Sequence, residues 1–176
     1  MGNWFDTDTK KGKVTLEQQL TGLDLLKEIV PGKTVFDLGC AEGQIAAQVK
    51  AWGASKVHGA DNRRDAVDHA VTLGVNAILA DADRFQPSKN YDVILLLGIL
   101  HKLKHSEKTL RLMLAACNEA CVIRLPPGQW PVLLDSRSGG KHVDLMAAAT
   151  DSGFQLFAES EGPHGQWVGY LRRTAD

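Results

Sequence analysis

From residue 34 to residue 125 the chain repeats one pattern: a short run apolar on both of its faces, a polar turn, then a segment with apolar residues at helical spacing. "TVFDL" (34–38), "KVHGAD" (56–61), "NAILAD" (76–81), "YDVILLLGIL" (91–100) and "CVIRL" (121–125) read as strands. "GQIAAQVKAWG" (43–53), "RRDAVDHAVTLG" (63–74) and "SEKTLRLMLAACNEA" (106–120) read as the helices between them. A strand with two apolar faces must be covered on both, and strands joined through crossover helices run parallel. The pattern therefore predicts an α/β fold built on a doubly wound, mostly parallel sheet. The tail changes rhythm: "PPGQWPVLLDSRSGGK" (126–141) reads as a long loop and "HVDLMAAATDSG" (142–153) as a helix. "FQLFAES" (154–160) and "QWVGYLRR" (166–173), joined by "EGPHG", read as a C-terminal antiparallel hairpin.

Ahead of the first strand, "TLEQQLTGLDLLKEIV" (15–30) sets Leu16, Leu20, Leu23 and Leu26 at helical spacing. Thr15 and Gln18 occupy capping-box positions, and Pro31-Gly32 closes the segment, which predicts one leading helix. A chain of 176 residues with 44% hydrophobic content suits a single domain, with an N-terminal arm and leading helix over 1–31 and a core over 32–176. A net charge of -1 gives no global attraction to nucleic acid or to an anionic membrane surface. The sequence shows neither a signal-peptide pattern nor an apolar run of spanning length, which points to a cytoplasmic protein with no membrane partner. Cys40, Cys117 and Cys121 lack CxxC spacing and fit reduced thiols; no metal site is expected.

The chemistry concentrates where strands give way to helices. In a doubly wound sheet, ligands bind beyond the carboxyl ends of the strands, and "GCAEG" (39–43) forms the first such turn. Gly39 can take positive φ, and Gly43 lets the chain approach a ligand where the helix begins. This much defines only a Rossmann-like nucleotide-binding turn. Asp61, twenty-four residues after Asp37, ends the second strand, where an ionised carboxylate can accept both hydroxyls of a ribose. Its plainer role would be to cap the helix starting near Arg63, a job Asn62 could do equally well. Asp81, at the third strand tip, can accept from an adenine exocyclic amine while the N–H of Ala82 donates to the neighbouring ring nitrogen. Alone it would be a solvated turn, but three successive tips form a constellation.

With these residues the sequence resembles the class I S-adenosylmethionine-dependent methyltransferase superfamily. "VFDLGCAEG" looks like its first motif, "GAD" like its ribose-binding acid, "ADA" like its adenine-contacting step and "YDVILLLGILHKL" like its fourth motif. The resemblance covers nearly the whole chain. It implies S-adenosyl-L-methionine as cofactor, held by Asp37, Gly39, Cys40, Ala41, Gly43, Asp61, Asn62, Asp81, Ala82 and Leu97. Asp37 would orient the methionine end, and Ala41 stands where glycine is commonest in the family.

A dehydrogenase would carry G-x-G-x-x-G, which is absent, and a cofactor-binding module without catalysis is a further reading. Within methyltransferases, "LLGILHKL" replaces the Asp/Asn-Pro-Pro-aromatic motif of base-directed enzymes, and Leu97-Gly98 offers no metal-binding carboxylate. A Lys-Asp-Lys-Glu set for ribose methylation is not recognisable. These absences leave metal-free transfer to an O or N acceptor, on a small molecule before RNA or another nucleic acid. Candidate acceptor-wall residues are Trp4 and Phe5 in the arm, His101, Trp130, Arg137, Lys141 and His142. His101 suits a general base by its ordinary pKa, or is a packed or capping histidine. Trp130 is a lid aromatic or a loop anchor, and Arg137 and Lys141 either meet an anionic substrate or face solvent.

Overall fold

The computed structural model describes residues 14–135 and 141–175. Helices α1 (Leu16–Leu20) and α2 (Leu26–Ile29) precede β1 (Thr34–Leu38), α3 (Gln44–Ala51), β2 (Lys56–Asp61), α4 (Arg64–Thr72), β3 (Asn76–Leu79) and β4 (Tyr91–Leu97). A 3-10 turn, Leu100–Lys102, leads into α5 (Ser106–Ala115) and β5 (Cys117–Leu125). A small hairpin of β6 (Val132–Asp135) and β7 (Lys141–Asp144) precedes α6 (Leu145–Asp151), β8 (Phe154–Glu161) and β9 (Trp167–Arg173). The main sheet has seven strands in the order β3-β2-β1-β4-β5-β9-β8. The first five are parallel, while β9 runs antiparallel to β5 and β8 antiparallel to β9. The order reverses between β1 and β4, which is the switch point where such sheets open a crevice. Among the described residues no helix is long and apolar enough to cross a membrane.

Strand β4 shows why both faces must be covered. Val93 and Leu95 enter a layer with Leu26, Val35 and Val49, whereas Ile94 and Leu96 enter the opposite layer with Leu110, Met113 and Leu145; all are fully buried. Burying each such side chain contributes about 1.5–3 kcal/mol relative to leaving it in water.

Several boundaries depart from the sequence reading. The leading helix is two short helices, because the chain turns at Gly22 with φ 79°. A Cβ there would lie 2.6 Å from the carbonyl oxygen of Glu161, so the break is dictated by packing on β8. The Thr15 and Gln18 capping box forms as the sequence predicts. The helix expected over 106–120 ends at Ala115, and Arg173 from β9 donates to the carbonyls of Leu114 and Cys117 at that end. Asn118 and Glu119 then widen the start of β5, where its pairing with β4 shifts register. The expected loop over 126–141 contains β6, and the first residues of the helix expected over 142–153 belong to β7. Leu133 and Val143 pair across that hairpin and are both buried, so local helical signals yield to a strand pairing that buries two apolar side chains. Asp144 caps α6 instead, its carboxylate accepting from the Ala147 N–H at 2.8 Å. The third and fourth strands stop at Leu79 and Leu97, short of the expected Asp81 and Leu100.

Candidate functional site

Beyond β1 the chain folds into α3 through three residues at positive φ: Gly39 (79°), Ala41 (47°) and Gly43 (80°). The N–H groups of Gly39 and Cys40 donate to the carbonyl of Ala60 at 2.7 and 3.1 Å, which fastens the turn to β2. A Cβ on Gly43 would stand 2.6 Å from that of Ala70, so glycine lets α4 close against the turn. Asp61 completes the lacing. Its carboxylate accepts from the Ala41 N–H and the Arg63 N–H, both at 3.0 Å, and Arg63 also pairs with Glu42 at 2.5 Å. Asp61 is thus a turn-holding acid and not the cap residue of α4, a position Arg63 occupies without a side-chain bond. Each carboxylate oxygen has two acceptor sites, so one remains on each for a ligand. Asn62 is exposed beside it.

A narrow cleft runs under this turn, lined by Gln19, Asp37, Ala41, Gln44, Leu97 and Arg124. Its open space is about 30 Å³, room for a small polar group and not for a ring system. Asp37 is 3% exposed and Arg124 2% exposed. Burial raises the Asp37 pKa to about 7, against the pull of the Arg124 charge, and Asp61 adds to the rise. Burial also lowers the Arg124 pKa to about 10, against Asp37 and Tyr170. Arg124 Nη1 donates to the carbonyl of Gln19 at 2.6 Å. Neither Gln19 nor Arg124 carries a signal in the sequence. The first looks like one more polar residue of a helix, the second like the polar end of a strand, and only the fold brings them to Asp37.

The third tip is looser than expected. Asp81 is exposed, two residues past the end of β3, and accepts from the Asp83 N–H at 3.0 Å with Arg84 at 3.8 Å. Ala82 is half-buried, and its carbonyl accepts from the Thr109 hydroxyl at 3.5 Å. Asp83, which the sequence reading passed over, accepts from the N–H groups of Lys104 and His105 at 2.8 and 3.0 Å, and so ties this loop to the start of α5. At the tip of β4, Leu97 is half-buried and pairs with Arg124. A Cβ on the next residue, Gly98, would meet nothing within 4 Å, so the space over this tip is open.

The acceptor-wall candidates separate. His101 is half-buried in the 3-10 turn that follows β4, and β6 packs against that turn. Trp130 stacks on Trp167, ring centroids 3.9 Å apart and planes 10° from parallel, while the Trp167 indole donates to Glu159 at 2.8 Å. Trp130 is therefore an anchor of its loop at the same end of the sheet. His142 is exposed on β7, where Lys141 also lies. Trp4, Phe5 and Arg137 lie outside the described residues. Among the described residues, no group of three or more His, Cys, Asp or Glu side chains is placed to hold a metal ion.

Residues 16–154 match the methyltransferase domain family. Over 88 residues the chain is 32% identical to a protein of Papaver bracteatum named probable (S)-tetrahydroprotoberberine N-methyltransferase 2, a match spanning 46% of this chain and 25% of that relative's length. The fold is also that of the magnesium protoporphyrin IX methyltransferase of Synechocystis with bound S-adenosylmethionine, at 16% identity and a TM-score of 0.65 over 82% of this chain and 71% of that one. A second solved structure, an S-adenosylmethionine-dependent methyltransferase of Mesorhizobium loti, gives a TM-score of 0.68 at 16% identity, over 82% of this chain and 93% of the other. The chain belongs to the methyltransferase domain family, within the class I S-adenosylmethionine-dependent methyltransferases.

Proposed function

We propose that the protein transfers the methyl group of S-adenosyl-L-methionine, without a metal, to an oxygen or nitrogen of a small molecule. The observation that carries this reading is the row of polar groups along three successive strand tips: the Asp37 cleft, Asp61, and Asp81 with the Ala82 N–H. In this reading Asp61 accepts from the ribose hydroxyls through the lone pairs its two backbone partners leave over. Asp81 and the Ala82 N–H address the adenine edge, Gly39, Cys40, Ala41, Gly43 and Leu97 shape the pocket, and Asn62 borders the sugar. When bound, the cofactor supplies a sulfonium methyl already activated for transfer. What remains for the chain is to align the acceptor and to exclude water, and alignment of that kind can lower a barrier by roughly 7–11 kcal/mol.

The acceptor enters over the tips of β4 and β5. His101 stands in the turn after β4, where an imidazole would take the proton an O or N acceptor must lose. The Trp130–Trp167 stack offers a fixed aromatic surface on the neighbouring rim. Both named relatives support a small organic acceptor, since one name specifies a tetrahydroprotoberberine and the other magnesium protoporphyrin IX. The near-neutral charge of the chain gives no broad field for a nucleic-acid backbone.

Calorimetry with S-adenosylmethionine, S-adenosylhomocysteine and NAD tests the first half of the reading; binding of NAD alone would overturn it. A screen of amines, phenols, nucleosides and RNA for S-adenosylhomocysteine release tests the second half. Release with RNA only would move the acceptor class, and cofactor binding with no turnover on any acceptor would leave a binding module.

A further inference from the structure

At the end of the sheet away from the turn between β1 and α3 lies a groove of about 600 Å³. It is lined from α2, the residue before β1, the first residues of β5 and the last of β9. Small-molecule sites measure about 300–1,000 Å³, so the groove is of ligand size. Leu25 and Ile29 of α2, Ala120 of β5 and Phe157 of β8 give it apolar walls. Three cations also line it, and two of them are committed. Lys33 pairs with Glu119 at 2.6 Å, and Arg173 donates to the carbonyls of Leu114 and Cys117. Arg172 is different: its guanidinium lies over the Phe157 ring, 4.2 Å from the centroid, and among the described residues no carboxylate pairs with it. Val168 and Tyr170, earlier on the same face of β9, are buried in the apolar layer. Arg172 is exposed, so the row turns from packing to charge where the groove begins. Stacking on a ring fixes the plane of a guanidinium and leaves the N–H donors along its edge available.

We propose that this groove is a second ligand site, which takes a small monocarboxylate with an apolar body. The carboxylate meets the edge of Arg172, and the body lies against Leu25, Ile29 and Phe157. A planar head with two oxygens matches the guanidinium fork in a two-point contact. Charge selects the carboxylate over a phosphate. Glu28 and Glu119 line the groove with the three cations, which leaves one net positive charge, matched by a monoanion and exceeded by a dianion. The cofactor turn and the acceptor wall lie at the opposite ends of the strands, so the site stands apart from methyl transfer. The competing role for Arg172 is a solvated cover over Phe157, with no ligand.

Equilibrium dialysis of the intact chain tests this with 2-naphthoate, its uncharged amide 2-naphthamide, and octanoate, which tells a chain-like body from a ring. Wild type is expected to bind at least one of the two acids, and naphthoate about tenfold more tightly than the amide if it is the ring that fits, the low end of the range for a hydrogen bond to a charged group. Arg172→Gln should bring the affinity of the bound acid down by about the same factor and leave the amide unchanged. Glu28→Gln removes the acid on the opposite wall and should tighten the bound acid by about twofold, the scale of one exposed charge. Thermal melts show that each variant is folded. If wild type binds neither acid, or binds naphthoate and the amide equally with octanoate unbound, the proposal falls. It falls also if folded Arg172→Gln keeps the wild-type affinity for the bound acid, since Arg172 is then only a cover. Should Arg172→Gln not fold, Glu28→Gln decides: an affinity unchanged in that variant would place the acid elsewhere on the molecule.

Discussion

At the scale of single residues, Asp37 is the acid of the cleft whose charge changes near neutral pH. Its pKa is raised, from 3.8 to about 7, so the folded chain holds this proton more tightly than the unfolded chain. The stability it contributes is complete below the ordinary carboxyl range and is lost as pH rises through about 7. An ammonium ligand asks for the opposite form. Affinity for S-adenosylhomocysteine should therefore increase as pH rises through about 7 in the wild type, and the slope should vanish in Asp37→Asn, read by calorimetry across that interval. A flat wild-type profile would remove Asp37 from contact with the ligand. Ala41 is the other informative residue. With φ at 47° it takes a conformation that costs an ordinary residue about 1–2 kcal/mol. Part of that is recovered by glycine, less the entropy glycine adds to the unfolded chain. Ala41→Gly should raise the urea midpoint by the equivalent of about 0.5–1 kcal/mol, with the slope of the transition unchanged.

At the scale of elements, the turn between α1 and α2 fixes the roof of the cleft. The Gly22 carbonyl accepts from Ser160 Oγ at 2.7 Å and from the Tyr170 hydroxyl at 2.6 Å, and a Cβ on Gly22 would collide with the Glu161 backbone. Gly22→Ala should destabilise the protein by about 1–3 kcal/mol and weaken cofactor binding as well, because Gln19 moves with α1. Chemical denaturation and calorimetry on the same sample check both; a loss of stability with affinity intact would separate α1 from the site. This element also shows what a sequence can and cannot reveal. Leu16, Leu20, Leu23 and Leu26 keep a helical period straight through Gly22, so the break is invisible until β8 is placed beneath it. Likewise nothing local in "SEKTLRLMLAACNEA" marks its end at Ala115, since Arg173 comes from the far end of the chain to hold that terminus. By contrast, the two-faced apolar runs of β1, β2, β4 and β5 were legible, because their burial depends on composition alone. The place of Asp61 was legible for a related reason, since it is the last residue of β2, whereas Asp81 lies two residues beyond β3. Gln19 and Arg124 were not, because their meaning is a contact across 105 positions of sequence.

At the scale of the whole molecule, all three thiols of the chain are buried, Cys117 and Cys121 within one apolar layer and Cys40 in the turn after β1. Cys117 and Cys121 are fully buried and Cys40 is 6% exposed, its sulfur so close to β2 that a Cβ on Gly59 would lie 2.7 Å from it. Burial raises the pKa of all three, that of Cys117 to about 12, so thiolate is scarce even where a reagent could reach. Cys121 sits on an interior strand of the sheet, in β5 between β4 and β9. An aromatic disulfide reagent should therefore find no reactive sulfur in the native protein, and three in denaturant, matching the three cysteines of the sequence. Prompt reaction of one thiol in the native protein would show that the turn around Cys40 opens by itself. In the absence of such a reaction, slow modification becomes a stopwatch for the opening of the sheet. The chain thus carries its own chemical timer, with which the hold of a bound ligand on the whole fold can be measured without engineering a reporter into the sequence.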